Sequence, residues 1–456
     1  MSDKASITKS QSSRERAIVI GGSMAGLLAA RVLSDHFREV TLIERDEIAS
    51  SARPRKAVPQ GRHVHVLMHS GIQVIDRLFP DLLASMQQSA RIVRSDASQD
   101  FRWRHFGVWK ARFNSGIEMV FMYRPSFEWK VASRVLAVSN IKVISGRDVT
   151  GYAAVASRER VTGVRISSGS GAEEIVDADL IVDASGRGSQ TPKWLRELGL
   201  PAPPEARVEI NIGYASRIFA RPKNLTDAPP LFVVPRPPAT RAGAIFPIED
   251  NRWMVTLAGW LADYPPETEK EFLEFAATVE VPDLHRYLEH SIPLTPIVTH
   301  KFPASVWRRY DKLSQLPKSL VVLGDALCSF NPVYAQGMTV ASLESMALDR
   351  CLRTLEREAD VSEISHRFHR AAARIVANPW DLAVGEDLRY AEAKGDRKLS
   401  SNILRWYAGL VHEATSKDER VARQFYSVMS LLEPPASLLS PGIALRTAAH
   451  QLAKAK

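Results

Sequence analysis

The stretch AIVIGGSMAGLLAARVLSDHFREVTLIERD, Ala17 to Asp46, constrains this chain more than any other. A short apolar run, AIVI, leads into the tight turn GGSMAG. LLAARVL then has helical spacing, and EVTLIE is a second apolar run ending in an acid, Glu44. Strand, glycine turn, helix, strand and acid in this order make a βαβ unit that binds a dinucleotide. Gly21 permits the turn and Gly26 lets helix and strand approach closely. Gly22, Ser23, Met24 and Ala25 bring free backbone N–H groups and a positive helix end to a pyrophosphate. Ser23 stands where the fingerprint has its second glycine, and its hydroxyl is a further donor. Glu44, with Arg45 beside it, faces the adenosine ribose. Its charge repels a phosphate there and so disfavours NADP at this site.

With 456 residues, the chain is too long for one ordinary core and points to two or three domains. Apolar residues at 45% and charged residues at 24% are those of a globular protein. No run of 18 apolar residues suggests a membrane span. The first 15 residues are polar and read as a disordered leader rather than a secretory signal. The two cysteines, Cys328 and Cys351, lack metal-binding spacing and suit a reducing cytoplasm. Net charge is +9, but the basic residues are dispersed and no nucleic-acid module is present. Solvated charge and an anionic cofactor account for it.

Two later segments repeat one design. In DADLIVDASGRGSQTPKWLRELG, Asp177 to Gly199, a buried strand ends in Asp183 and opens into a glycine loop. In SLVVLGDALCSFNPVYAQGMT the strand ends in Gly324-Asp325, and a helix is expected to begin near Met338. The C-terminal ends of parallel strands are where doubly wound folds bind ligands.

Together these three segments resemble the FAD-dependent monooxygenases of the para-hydroxybenzoate hydroxylase-like class. Three further stretches are similar to the bacterial polyether-type epoxidases, which are squalene monooxygenase-like: RKAVPQGRHVHVLMHSGIQVIDRLFPDLL from Arg55, the loop from Gly324, and PWDLAVGEDLRY from Pro379. The resemblance implies an α/β fold. A Rossmann-type FAD-binding domain (16–200 and 301–375) would carry an inserted antiparallel substrate sheet (201–300) and a C-terminal helical region (376–456). It implies that Asp183, Gly186 and Ser189 support FAD, that Asp325 holds the ribityl chain, and that Gly337 and Met338 bring backbone N–H groups to the isoalloxazine. It also implies that Arg62 and His63 line the flavin cleft, and cofactor contacts for Arg124 in MYRPSFEWKVASRVL and for the backbone of Val149. NADH or NADPH would donate electrons, directly or through a flavin reductase.

The implied chemistry is transfer of one oxygen atom from a hydroperoxyflavin to an apolar unsaturated or aromatic small molecule. Epoxidation leads, with ring hydroxylation and a flavin reductase or dehydrogenase as alternatives. A lipid-escort binding protein is the non-enzymatic one. Such oxygen transfer needs no nucleophilic side chain, and the sequence yields no catalytic residue. FGVWKARF, Phe106 to Phe113, lacks the WxWxIP signature of flavin halogenases. His63, His65 and His69 lack a further ligand, so no metal is expected. From Glu205 to Trp260 apolar residues alternate, as in Val208, Ile210, Ile212 and Tyr214, which predicts antiparallel strands; the resemblance implies that they wall the substrate cavity. Beyond Leu352 the pattern is helical, with Trp406, Tyr407, Phe425 and Tyr426 available to cover that cavity. Membrane contact would be peripheral at most.

Overall fold

The computed structural model describes residues 14–48, 51–167, 173–225, 228–355, 361–397 and 399–454. Of the expected leader, only Arg14 and Glu15 fall within the described residues, and Arg14 is tied to the Leu352 carbonyl at 3.0 Å.

Five parallel strands form the first sheet, in the spatial order Leu320–Val322, Leu180–Asp183, Arg16–Ile20, Glu39–Glu44 and Ile141–Ser145. Their registers pair Val19 with both Val182 and Leu42, and Val182 with Val321. Helices and a three-stranded sheet of Asp148–Ala154, Val161–Ser167 and Glu173–Asp177 pack on this sheet. Met24–Ser34 packs against Gly337–Thr354, which in turn packs against Ile364–Asp387. Cover on both faces explains why these strands read as unbroken apolar runs rather than alternating ones. The three ligand-type segments of the sequence thus become neighbours: the strands ending in Ile20, Asp183 and Val322 lie side by side with the same direction.

The second sheet is antiparallel at its centre. It runs from Cys328–Ser329 through Val298–Arg308, Glu205–Ala220, Arg252–Gly259, Arg241–Ile248 and Leu231–Val233 to Arg102–His105 and Val108–Trp109. The alternation at Val208, Ile210 and Ile212 is present, but it fades beyond Gly213, where both faces are buried. One face packs on the Glu269–Ala277 and Pro282–Glu289 helices through Trp253, Val255, Leu257, Phe272 and Leu284. The other face turns toward the parallel sheet. Arg102–His105 joins by pairing in parallel with Leu231–Val233, so Leu231 lies opposite Arg102 and Val233 opposite Arg104. This edge comes from far outside the 201–300 segment. Three C-terminal helices, Leu399–Ala414, Glu419–Met429 and Pro441–Lys454, close the end of the molecule beside it. No helix among the described residues is long and apolar enough to cross a membrane.

Candidate active site

One continuous cavity of about 770 Å³ lies between the two sheets. It begins at the C-terminal ends of the parallel strands, follows the inner face of the antiparallel sheet and ends beneath the C-terminal helices. Side chains two apart on a strand share a face, which brings Ala242, Ala244 and Phe246 to the cavity together, and likewise Trp103 with His105.

At the parallel-strand end, the glycine turn is built as its sequence requires. Gly21 has φ +99°, and a Cβ on it would stand 2.6 Å from the Ala184 carbonyl oxygen. A Cβ on Gly26 would stand 1.8 Å from the Gly21 carbonyl oxygen, so helix and turn meet only because both are glycines. Gly21, Ser23, Met24 and Ala25 line the cavity; Gly22 and Gly26 stand behind them. Glu44 also lines it, with Arg45. The Glu44 carboxylate accepts the Gly22 N–H at 2.7 Å and the Asp46 N–H at 3.1 Å, leaving lone pairs for a further partner.

Ser23 differs from the sequence reading. Its hydroxyl donates to Glu128 at 3.0 Å and accepts from Arg124 at 3.1 Å, so its proton is already engaged. Arg55 locks the same corner. It donates to the Gly22 carbonyl at 2.8 Å and to Glu128 at 2.5 Å, and pairs with Glu44 at 3.4 Å. In the sequence Arg55 only opens the stretch that begins RKAVPQGRH, and Glu128 lies within MYRPSFEWKVASRVL. The two are 73 positions apart, and no local pattern announces the pair.

Arg124 and Val149 both line the cavity, as does Arg147. Arg62 does not: it is exposed, while its neighbour His63 reaches the wall. The backbone at His63 is extended, which turns adjacent side chains to opposite sides. The His63 Nδ1 lies 2.7 Å from the Ser216 hydroxyl. Burial, with His300 and Arg62 nearby, lowers its pKa to about 4, so the ring is neutral at pH 7. Of the other two histidines of that segment, His65 Nδ1 lies 3.0 Å from the His63 carbonyl and His69 Nδ1 accepts the Glu118 N–H at 2.9 Å.

Asp183 spends its carboxylate on its own loop. Oδ1 accepts from the Ser185 N–H and hydroxyl, and Oδ2 from the hydroxyls of Ser189 and Thr191. It shapes the turn that presents Ser185, Gly186 and Arg187 to the cavity.

Asp325 is free of such work. It lines the cavity, where burial raises its pKa against the opposing pull of Arg124, Arg187 and Arg308. The helix after it begins at Gly337, one residue from the expected Met338, and both residues line the cavity. The intervening loop is held from behind. Asn331 accepts from Tyr214 at 2.8 Å and donates to Asp387 at 2.9 Å, and Asp387 also accepts from Tyr334 at 3.1 Å. Burial pushes the Asp387 carboxyl up to about 7. Cys328 is buried in this loop and its thiol pKa is well raised by burial, which makes it a core residue rather than a nucleophile.

The far end of the cavity is aromatic. Phe101, Trp103, Phe121, Phe246 and Phe425 form its buried cluster. Of the C-terminal aromatics, Phe425 and Tyr426 pack on Trp103, whereas Trp406 is 65% exposed.

Comparison with known proteins agrees with this geometry. The chain is similar to Protein Rv3254 of Mycobacterium tuberculosis, with 34% identity over 96% of this chain and 94% of that protein. It is similar to a kynurenine 3-monooxygenase of Salinispora arenicola, with 26% identity over 97% and 98%. Among solved structures it shares its fold with a flavoprotein/dehydrogenase from Cytophaga hutchinsonii, at a TM-score of 0.69 and 14% identity over 97% and 99% of the two chains. The family model for FAD dependent oxidoreductases matches residues 17–191, the segment that carries the glycine turn and the Asp183 loop. The chain belongs to the FAD-dependent oxidoreductase family.

Proposed function

We propose that this protein is an FAD-dependent monooxygenase that transfers one atom of molecular oxygen to an apolar unsaturated or aromatic substrate. One observation carries the reading: the cavity that starts at the glycine turn, Glu44 and Asp325 continues without a break into an aromatic chamber. Cofactor and substrate ends are one space, as a reaction at the flavin edge needs.

The residues fit FAD. A Cβ on Gly337 would meet no atom within 4 Å, so this wall is open where a flat ring would lie. Bound there, FAD would supply reduction by a nicotinamide cofactor and activation of oxygen. Asp325 would accept hydrogen bonds from ribityl hydroxyls. Glu44 would take those of the ribose. The free N–H groups at the start of the Gly337–Thr354 helix would stabilise negative charge on the pyrimidine edge. The network of Tyr214, Asn331, Asp387 and Tyr334 fixes the loop carrying these groups. The aromatic walls keep water from the reacting atoms.

Epoxidation of a carbon–carbon double bond is the finer reading from the sequence. Ring hydroxylation is the second, favoured by the aromatic chamber and the kynurenine 3-monooxygenase relative. The test is turnover of the FAD-loaded protein under ¹⁸O₂ with polyenes, terpenoids and phenols. One labelled oxygen in an epoxide or a new phenol supports the reading and selects between its forms. Label that enters only from water overturns it.

A further inference from the structure

Beyond the aromatic chamber lies a buried polar cluster that oxygen transfer does not use. Glu386, on the Ile364–Asp387 helix, His412, on the Leu399–Ala414 helix, and His105, on the Arg102–His105 strand, all line the cavity. His105, His412 and the adjacent Lys110 are 4–6% exposed. Lys110 donates to His412 Nδ1 at 3.1 Å and to the His412 carbonyl at 2.9 Å. An accepting Nδ1 leaves the proton on Nε2, which faces Glu386 Oε1 at 3.8 Å. His105 Nε2 faces Glu386 Oε2 at 3.6 Å. Arg389 holds that same oxygen at 2.9 Å.

These imidazole-to-carboxylate distances are too long for direct hydrogen bonds. The three ligating atoms nevertheless lie within 4.8 Å of one another. A single oxygen atom between them can therefore reach all three, because two hydrogen bonds of about 2.8 Å span up to about 5.6 Å. The valences select that oxygen. A hydroxyl has one proton to give, to Glu386, and two lone pairs to receive the imidazole N–H groups. A carboxylate would set a second negative charge against Glu386. An ammonium group or a divalent metal ion would face Lys110 and Arg389, and a metal would need His412 Nε2 without its proton. Trp103, which lines the cavity and stacks on His105, suits a flat ring bearing the hydroxyl. The surplus of Lys110 and Arg389 over Glu386 favours an acidic hydroxyl over an alcohol.

We infer that His105, His412 and Glu386 form a substrate subsite for a phenolic hydroxyl, at the end of the cavity away from Asp325. Four strand spacings separate Arg102–His105 from the Glu205–Ala220 strand that carries Tyr214, roughly 19 Å along the sheet. The substrate is thus an elongated aromatic molecule, oxidised at a carbon remote from that hydroxyl. The inference rests on the proposed monooxygenase reading and narrows its substrate class.

The experiment measures binding of 2-naphthol, 4-phenylphenol and 4-hydroxystilbene, each against its O-methyl ether, to the FAD-loaded protein by calorimetry. Losing a hydrogen bond to a charged group predicts a preference of about 10-fold or more for at least one phenol. Glu386→Gln and His412→Phe should each abolish the preference with FAD content unchanged. Absence of any phenol preference in the wild-type protein overturns the inference without recourse to a variant. Survival of the preference in both folded variants, or a stoichiometric divalent metal in the purified protein, does so too. Equal binding of phenols and ethers by a yellow, oxygen-transferring protein strikes at this inference alone. A phenol preference in a protein that transfers no oxygen strikes at the proposed function alone.

Discussion

Glu344 accepts the backbone N–H of Gly324 at 2.6 Å, directly behind Asp325. The acid is fully buried, and burial pushes its pKa up to about 8 against the help of the Gly324 hydrogen bond. It is protonated in the folded protein at neutral pH. Between the ordinary glutamate pKa and about 8 the folded state therefore holds a proton that the unfolded chain has released. The stability linked to this proton is fully present below pH 4.5 and is lost as pH rises through about 8. Glu344→Gln keeps the acceptor and removes the titration. Thermal melts should show no difference from wild type near pH 4.5, an advantage for the variant that grows up to about pH 8, and a constant advantage above it. An advantage independent of pH would contradict a neutral Glu344.

The two glycines Gly26 and Gly337 should respond in opposite ways to the same change. Gly26→Ala forces a Cβ onto the Gly21 carbonyl and should cost about 3 kcal/mol or more, with the protein largely insoluble. Gly337→Ala meets no protein atom. The apo-protein should be as stable as wild type or gain up to about 1 kcal/mol from helix propensity. Its affinity for FAD should nonetheless fall, and equilibrium dialysis of the cofactor measures that split.

Arg55 is buried between two carboxylates, Glu44 and Glu128. Arg55→Met leaves Glu44 without its cation and Glu128 with Arg124 alone, at 3.5 Å, and should destabilise the apo-protein by about 3–5 kcal/mol in denaturant unfolding. Arg55→Met combined with Glu128→Leu should recover part of that loss, since the uncompensated charge is then reduced to Glu44. A fully additive double variant would contradict the shared cluster.

Much of the cofactor end was legible in the chain, because each piece is local. The turn from Gly21 to Gly26, the acid at Glu44 and the loop from Gly324 to Gly337 each carry their own glycines and apolar runs. A strand's end decides where they face. The substrate end was not legible in this way. His105 comes from a strand far earlier in the chain than the two helices that carry Glu386 and His412, and each alone reads as an ordinary polar residue on an amphipathic element. Only the parallel pairing of Arg102–His105 with Leu231–Val233 carries the first of them to the others. Arg62 and His63 mark the finer limit. Both belong to one recognisable segment, but an extended backbone turns one to the cavity and the other to solvent.

The most direct test of the account is FAD binding by Asp325→Ala. The wild-type protein should purify yellow with one FAD per chain. Removing the carboxylate at the end of the Leu320–Val322 strand deletes a charged acceptor for the ribityl hydroxyls, worth about 1.5–3 kcal/mol, and should weaken FAD binding roughly 10- to 100-fold in a fluorescence titration of the folded apo-protein. A folded variant that retains FAD as tightly as wild type would contradict the assignment of the Gly324–Thr339 loop as the flavin cradle.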